Sequence, residues 1–276
     1  MPTESLAELV RFVPDVYGFR WANHVALFVV TPTGVILVDP IGEGNPRTPA
    51  LIKEAIRSVT AEPVRYVIYS HSAFDHSTGG AVFADTARFA GHKNAVEPIR
   101  AAQDPATPVP DITFDTTLSL ELGGRRLDLY PADLAPGDDY IVIHDPAGRV
   151  AMFVDLVQPR NVPFRTLLGH PERIAARLQW MEDTLDFDVI VSGHATPQMS
   201  GTKQDVADQR RYYGDLSEAI ATARAAGLAD GSPEMAVLVR SILHPRYGAW
   251  RRFDEFLALN IQGMIAWRAG KPPSAH

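Results

Sequence analysis

The sequence predicts an α/β domain followed by a helical extension, and three observations carry that prediction. Short apolar, β-branched runs alternate with Gly- and Pro-containing turns through the first two thirds of the chain. Segments of helical spacing interrupt those runs. Beyond His194 the strands cease and the pattern is helical almost to the end. At 276 residues the length allows two domains at about 150 residues each. The texture instead suggests one domain over residues 1–200, with 201–276 as a helical extension of the same structural unit.

Each element follows from its residues. His24 to Val30 and Gly34 to Val38 flank Thr31-Pro-Thr-Gly34 and read as a hairpin. Thr48 to Val59 places Leu51, Ile52, Ala55, Ile56 and Val59 at helical spacing. Val64 to Tyr69 is a β-branched and aromatic run, a buried strand. A short strand is expected at Ala87 to Ala90 and a helix at Asn94 to Ala101. Thr113 to Leu122 and Arg126 to Tyr130 read as strands joined at Gly123-Gly124. Asp139 to His144 and Arg149 to Val154 form a second hairpin, turning at Asp145-Pro-Ala-Gly148. A helix from Pro171 to about Leu185 precedes the strand Asp188 to Ser192. Helices follow at Lys203 to Ala226, Pro233 to Leu243 and Arg251 to Trp267, and the tail from Gly270 should fray.

Composition narrows the function. Hydrophobic residues make up 46% and charged residues 21%, which is ordinary for a folded soluble protein and excludes wholesale disorder. The net charge of −7 lacks the basic excess that neutralises phosphates, so nucleic acid is not an expected partner. With no cysteine, disulfides, zinc–thiolate sites and cysteine nucleophiles are excluded. No run of about 18 apolar residues suggests a membrane span, and the first residues do not read as a secretory signal. The expected location is therefore cytoplasmic, with a small-molecule substrate, no membrane partner, and a homo-oligomer left open. No Walker loop, G-x-G-x-x-G fingerprint or G-x-S-x-G elbow is present.

Three separate apolar strands end in metal-capable side chains. One runs into His71, Asp75 and His76, another into Asp155, and a third into His194. Ligands gather beyond the carboxyl ends of strands in α/β sheets, because the loops there vary on a fixed scaffold. Imidazoles and carboxylates together suit Zn²⁺, Mn²⁺ or Fe²⁺ better than Ca²⁺ or Mg²⁺.

His71-x-x-x-Asp75-His76-x-x-Gly79-Gly80 resembles the His-x-His-x-Asp-His motif of the metallo-β-lactamase superfamily. Phe153-Val-Asp155 is similar to that family's later strand ending in a bridging aspartate. Ser192-Gly-His194 resembles the segment of its last metal histidine, and Pro136-Gly-Asp138 the turn after its third. The resemblance spans residues 20 to 200 and implies an αββα sandwich with a metal site at one edge of two sheets. Two positions depart from the pattern. Ala73 and Leu134 stand where the family has histidines. In the family those two, with the residue matching His71, hold a first metal. Residues matching Asp75, His76 and His194 hold a second, with the one matching Asp155 between.

One site has therefore lost two of three ligands while the other is whole. The resemblance implies a single divalent ion, Zn²⁺ first and Fe or Mn as alternatives, on Asp75, His76, Asp155 and His194. The expected activity is metal-dependent hydrolysis of an ester, lactone, amide or similar bond by a metal-activated water, with His71 and Asp75 as catalytic groups handling the proton. Two alternatives stay open. One is a non-hydrolytic mononuclear enzyme (lyase, isomerase or oxygenase), and the other a catalytically inactive binding protein on the same fold.

Other residues carry less. Asp133 could replace the ligand missing at Leu134. His92 reads as a surface or supporting residue, His144 and His170 as solvated, and His24 and His244 as uninformative alone. Asn260, within the apolar stripe of the last helix, should be hydrogen-bonded and anchor that helix to the sheet domain. Tyr247 and Trp250 read as packing or as a lid.

Overall fold

The computed structural model describes residues 7–42, 47–195 and 198–273. The chain divides into two units. The first comprises residues 1–132, 137–154 and 185–200, and the second 133–136, 155–184 and 201–276.

The first unit holds two sheets. Strands β1 (Ala7–Val13), β2 (Val16–Trp21), β3 (His24–Thr31) and β4 (Gly34–Val38) form an antiparallel meander. Helix α1 (Thr48–Val59) then crosses to β5 (Val64–Ile68), parallel to β4. The single turn α2 (Phe74–Ser77) follows, then β6 (Arg88–His92), helix α3 (Val96–Ala102) and β7 (Ile112–Phe114). The last two strands extend the sheet in parallel. The second sheet contains β8 (Leu118–Leu122), β9 (Arg125–Pro131), β10 (Ile141–Asp145), β11 (Val150–Met152), β12 (Val189–Val191) and β13 (Ser200–Gly201), in the order β13-β12-β11-β10-β9-β8. Strands β8 to β11 are antiparallel neighbours, whereas β12 runs parallel to β11.

The period-two alternation of β3 and β4 builds the layers. Val25, Leu27, Val29, Ile36 and Val38 enter the core shared with Leu127, Leu129, Ile141, Ile143, Val150 and Met152 of the second sheet. The alternate residues Ala26, Phe28, Val35 and Leu37 pack on the opposite face with Ile52 and Ile56 of α1 and Ile99 of α3. Both faces are buried, which is why these strands read as continuous apolar runs. Helices, sheet and sheet are three layers of the expected αββα arrangement.

The second unit is helical. It contains α4 (Pro171–Thr184), α5 (Lys203–Ala225), α6 (Pro233–Tyr247) and α7 (Phe253–Arg268). A capping box between Thr202 and Asp205 starts α5, and the Ser232 hydroxyl accepts the Met235 N–H to start α6. Arg210 of α5 pairs with Glu182 of α4 at 2.5 Å. Asn260 is fully buried. Its Oδ1 accepts the Tyr212 hydroxyl at 2.8 Å, and its Nδ2 donates to the carbonyls of Pro163 at 2.9 Å and Arg165 at 2.6 Å. The amide therefore anchors α7 to α5 and to the 163–165 loop rather than to the sheet. Tyr247 is buried against Tyr212 and Trp250, with ring centroids 5.0 and 4.8 Å away, so these aromatics are packing.

Other expectations change. The run Thr113 to Leu122 is not one strand. It bends at 115–117, and its halves β7 and β8 belong to different sheets. Strands β1 and β2 were not expected, because β1 is half exposed at a sheet edge and its pattern does not alternate cleanly. His144 is buried in β10, with Nε2 3.0 Å from the Asp186 carbonyl, rather than solvated. The expected fraying of the tail falls partly on 274–276, outside the described residues.

Candidate metal centre

Strand direction brings the relevant residues of the first unit to one edge. Because β4 and β5 are parallel, their carboxyl ends lie together, delivering Asp39 and Ser70-His71. Strand β3 is antiparallel to β4, so its first residue, His24, sits at that same edge. His194 follows β12, and an isolated antiparallel bridge pairs it with His24.

Asp39 is fully buried, with a left-handed backbone (φ 56°) at the end of β4. Its Oδ1 accepts the Ser70 N–H at 2.8 Å, and its Oδ2 accepts the Ser70 hydroxyl at 2.7 Å. The same Oδ2 lies 3.1 Å from His76 Nδ1, so Nδ1–H donates to the carboxylate and Nε2 carries the lone pair. Ser70 Oγ is also 2.9 Å from His71 Nδ1. With the hydroxyl proton spent on Asp39, Ser70 accepts from His71, and that ring too presents a lone pair at Nε2. The His71 ring stacks on Tyr140 at 4.3 Å.

The Nε2 atoms converge on Asp75. Its Oδ2 lies 3.4 Å from His24 Nε2, 3.5 Å from His76 Nε2 and 3.7 Å from His194 Nε2. His76 Nε2 and His194 Nε2 are 3.2 Å apart. The ligand atoms of His24, Asp75 and His194 all fall within 4.8 Å of one another. A tetrahedral shell with bonds of about 2.0–2.1 Å has edges of about 3.3 Å. The separations of 3.2–3.7 Å lie near that edge, whereas Ca²⁺ prefers six to eight oxygens at about 2.3–2.6 Å. Imidazole nitrogens with one carboxylate oxygen also suit a borderline divalent ion in character.

The atoms behind these candidate ligands resemble the outer partners that orient metal-binding imidazoles. Asp39 fixes the His76 tautomer. Asn23 Nδ2 is 3.1 Å from His194 Nδ1, while its own Oδ1 is buried without a hydrogen-bond partner. A half turn of this amide exchanges donor for acceptor, so Asn23 can serve either tautomer of His194. Gly193 has a steric reason. A Cβ there would lie 2.4 Å from Val154 Cγ1 and 3.0 Å from His76 Cε1.

Of the residues singled out in the sequence, the structure brings Asp75, His76 and His194 together, with the His71 ring 5.0 Å from that of His76. Asp155 begins the 155–184 stretch of the second unit, in a left-handed conformation (φ 65°). Ala73 caps α2 and offers no donor. Leu134 is fully buried and apolar. Asp133 is 71% exposed and ion-paired with Arg177 at 3.2 Å, so its carboxylate is engaged elsewhere in the second unit. His92 is buried beside Phe114 and accepts the Asn94 N–H. Two residues were missed. His24 depends on a bridge across 170 positions, invisible to any local pattern. Asp39 had a signal, an acidic residue ending a fully apolar strand.

Comparison with known proteins identifies the family. The chain is 28% identical over 141 residues to a UPF0173 metal-dependent hydrolase of Herpetosiphon aurantiacus, covering 49% of this chain and 56% of that protein. It is 24% identical over 251 residues to the 2,4-dinitroanisole O-demethylase subunit alpha of Nocardioides sp., covering 86% and 73%. Among solved structures it resembles the inverting sec-alkylsulfatase Pisa1 of Pseudomonas sp. (TM-score 0.75, 16% identity, 94% of this chain and 50% of that one). It also resembles a metallo-β-lactamase from Pontibacter korlensis (TM-score 0.62, 20% identity, 75% and 99%). The chain thus spans about half the length of the first hydrolase and of the alkylsulfatase. The family model of the metallo-β-lactamase superfamily matches residues 20–194. With that match over more than half its length, the chain belongs to the metallo-β-lactamase superfamily, a family mostly of metal-dependent hydrolases, and its fold is of the α/β sandwich class.

Proposed function

We propose that this chain is a hydrolase using one divalent metal ion, Zn²⁺ first, held in the first unit by Asp75, His76 and His194. The observation that carries the reading is the convergence of His76 Nε2 and His194 Nε2, 3.2 Å apart, on one Asp75 oxygen. Such an ion, when bound, supplies Lewis acidity and lowers the pKa of water toward about 7. The chain's own residues do the rest. Asp39 holds the proton on His76 Nδ1 and so keeps Nε2 basic. Ser70 does the same for His71, which is positioned as the general base that takes a proton at Nε2. Asp75 orients the group that gives up that proton.

The substrate is a small molecule with a cleavable ester, lactone or amide bond. The likeness to a 2,4-dinitroanisole O-demethylase subunit and to an alkylsulfatase adds methyl aryl ethers and sulfate esters to the bonds worth testing. No described helix is long and apolar enough to cross a membrane. The test is elemental analysis of the purified protein, followed by a panel of ester, lactone, β-lactam, phosphoester, sulfate ester and aryl ether substrates. About one ion per chain and metal-dependent turnover of one class are expected. Turnover that survives removal of the metal by a chelator would overturn the reading.

A further inference from the structure

We propose that His24 is a ligand of the metal centre, making the donor set of the first unit three imidazoles and one carboxylate. This inference rests on the metal-site reading above and extends it to a residue outside the motif. None of the positions carrying the superfamily motif, from His71 to His194, includes His24.

Backbone register places it. The Val25 N–H donates to the Gly193 carbonyl at 2.9 Å, and the Ala195 N–H donates to the Asn23 carbonyl at 2.8 Å. These two bonds flank His24 and His194, which makes them a non-hydrogen-bonded antiparallel pair. Side chains of such a pair lie on the same face and approach more closely than those of a hydrogen-bonded pair. Accordingly the two rings are 4.8 Å apart by centroid, and the His24 ring meets His76 edge-on at 5.6 Å. Of the three imidazoles, His24 Nε2 stands nearest to Asp75 Oδ2, at 3.4 Å.

Chemistry gives the arrangement a purpose. With alanine at 73 and leucine at 134, and with His71 assigned to proton transfer, the motif leaves His76, His194 and Asp75 to face the ion in the first unit. That set would hold a borderline cation less firmly than three imidazoles and a carboxylate do. His24 adds a nitrogen from a different strand, its ring forming a triangle with those of His76 and His194. The ligand class follows: Zn²⁺, Fe²⁺ or Co²⁺ in preference to Mg²⁺ or Ca²⁺.

The experiment uses the full chain loaded with Zn²⁺. X-ray absorption should count three imidazoles in the wild type and two in His24→Phe. Competition with a chromogenic chelator should show His24→Phe binding Zn²⁺ at least about 100-fold more weakly, since losing even a supporting partner costs about 10–100-fold. A wild type with fewer than three imidazoles, or a His24→Phe variant with wild-type affinity and spectrum, overturns the inference while leaving the metal site itself standing. A wild type that binds no Zn²⁺ overturns both. Should His24→Phe fail to fold, carbethoxylation of wild-type histidines decides. Zn²⁺ protection of His24, read by peptide mass, supports the assignment, and equal modification with and without Zn²⁺ refutes it.

Discussion

The two units bury polar groups for opposite ends. In the helical unit, Asn260 closes a ring of hydrogen bonds with Tyr212 and two loop carbonyls, and the Tyr247 hydroxyl is bonded to Asp215 at 2.7 Å. In these contacts each donor meets an acceptor, and the result is a fixed packing of helices. At the sheet edge of the first unit, like atoms are gathered instead. Imidazole nitrogens face one another and one carboxylate oxygen, an arrangement with little to gain until a cation is shared. Matched burial holds the fold, and mismatched burial marks the place of chemistry.

The strongest way to break that contrast is at its centre. Asp75→Ala or His194→Ala should remove the metal and lower turnover by about three orders of magnitude, the equivalent of about 4 kcal/mol of transition-state stabilisation. Metal analysis beside steady-state kinetics reads both. Next comes Asn260→Ala, which leaves the Tyr212 hydroxyl, the buried Pro163 carbonyl and the partly buried Arg165 carbonyl short of partners. At about 1–3 kcal/mol for each group left unsatisfied, the loss should be about 3 kcal/mol or more. Urea unfolding measures it, and metal content should stay at the wild-type level.

Asp39→Asn sharpens the comparison, because it weakens a support without touching a ligand. Metal affinity should fall by about 10–100-fold, and a loss confined to stability would show Asp39 to be only a structural anchor. The smallest effect concerns alkaline pH. Burial holds the hydroxyls of Tyr212, Tyr213 and Tyr247 above their ordinary range, with the Asp215 carboxylate adding to the last. A raised folded pKa contributes stability below the unfolded value of about 10, and that contribution is lost as pH rises through the folded value. Stability should thus hold to about pH 9 and decline above about pH 10. Tyr213→Phe should recover about 1 kcal/mol of that decline at about pH 10.5 and none at about pH 8.

How much of this was legible in the sequence depends on the range of the interaction. Helix α1, strand β5 and the 23-residue helix α5 were readable because periodicity reports which face is buried, and that is a local property. Asp75 and His76 stand out because a compact motif keeps its spacing, and His194 because it ends a short apolar strand. His24 does not, since its partner lies 170 positions along the chain and meets it through a bridge of backbone hydrogen bonds that any pair of residues could make. His144 was misplaced for a related reason. Its place beside the Asp145-Pro-Ala-Gly148 turn predicts a solvated side chain, yet the strand pairing of β10 with β9 and β11 encloses it. The break in the run from 113 to 122 escaped notice because a strand that changes sheets keeps its apolar pattern on both sides of the bend.

Gly193 shows what that long-range assembly demands. Its space is taken by a valine methyl and an imidazole carbon, so the residue serves as clearance between two neighbours, and backbone flexibility is not the reason for it. A single methyl placed there, as in Gly193→Ala, would act as a shim, tilting the His76 ring while leaving every donor atom present. Tolerance to wear at this edge is therefore set by a gap narrower than one carbon atom.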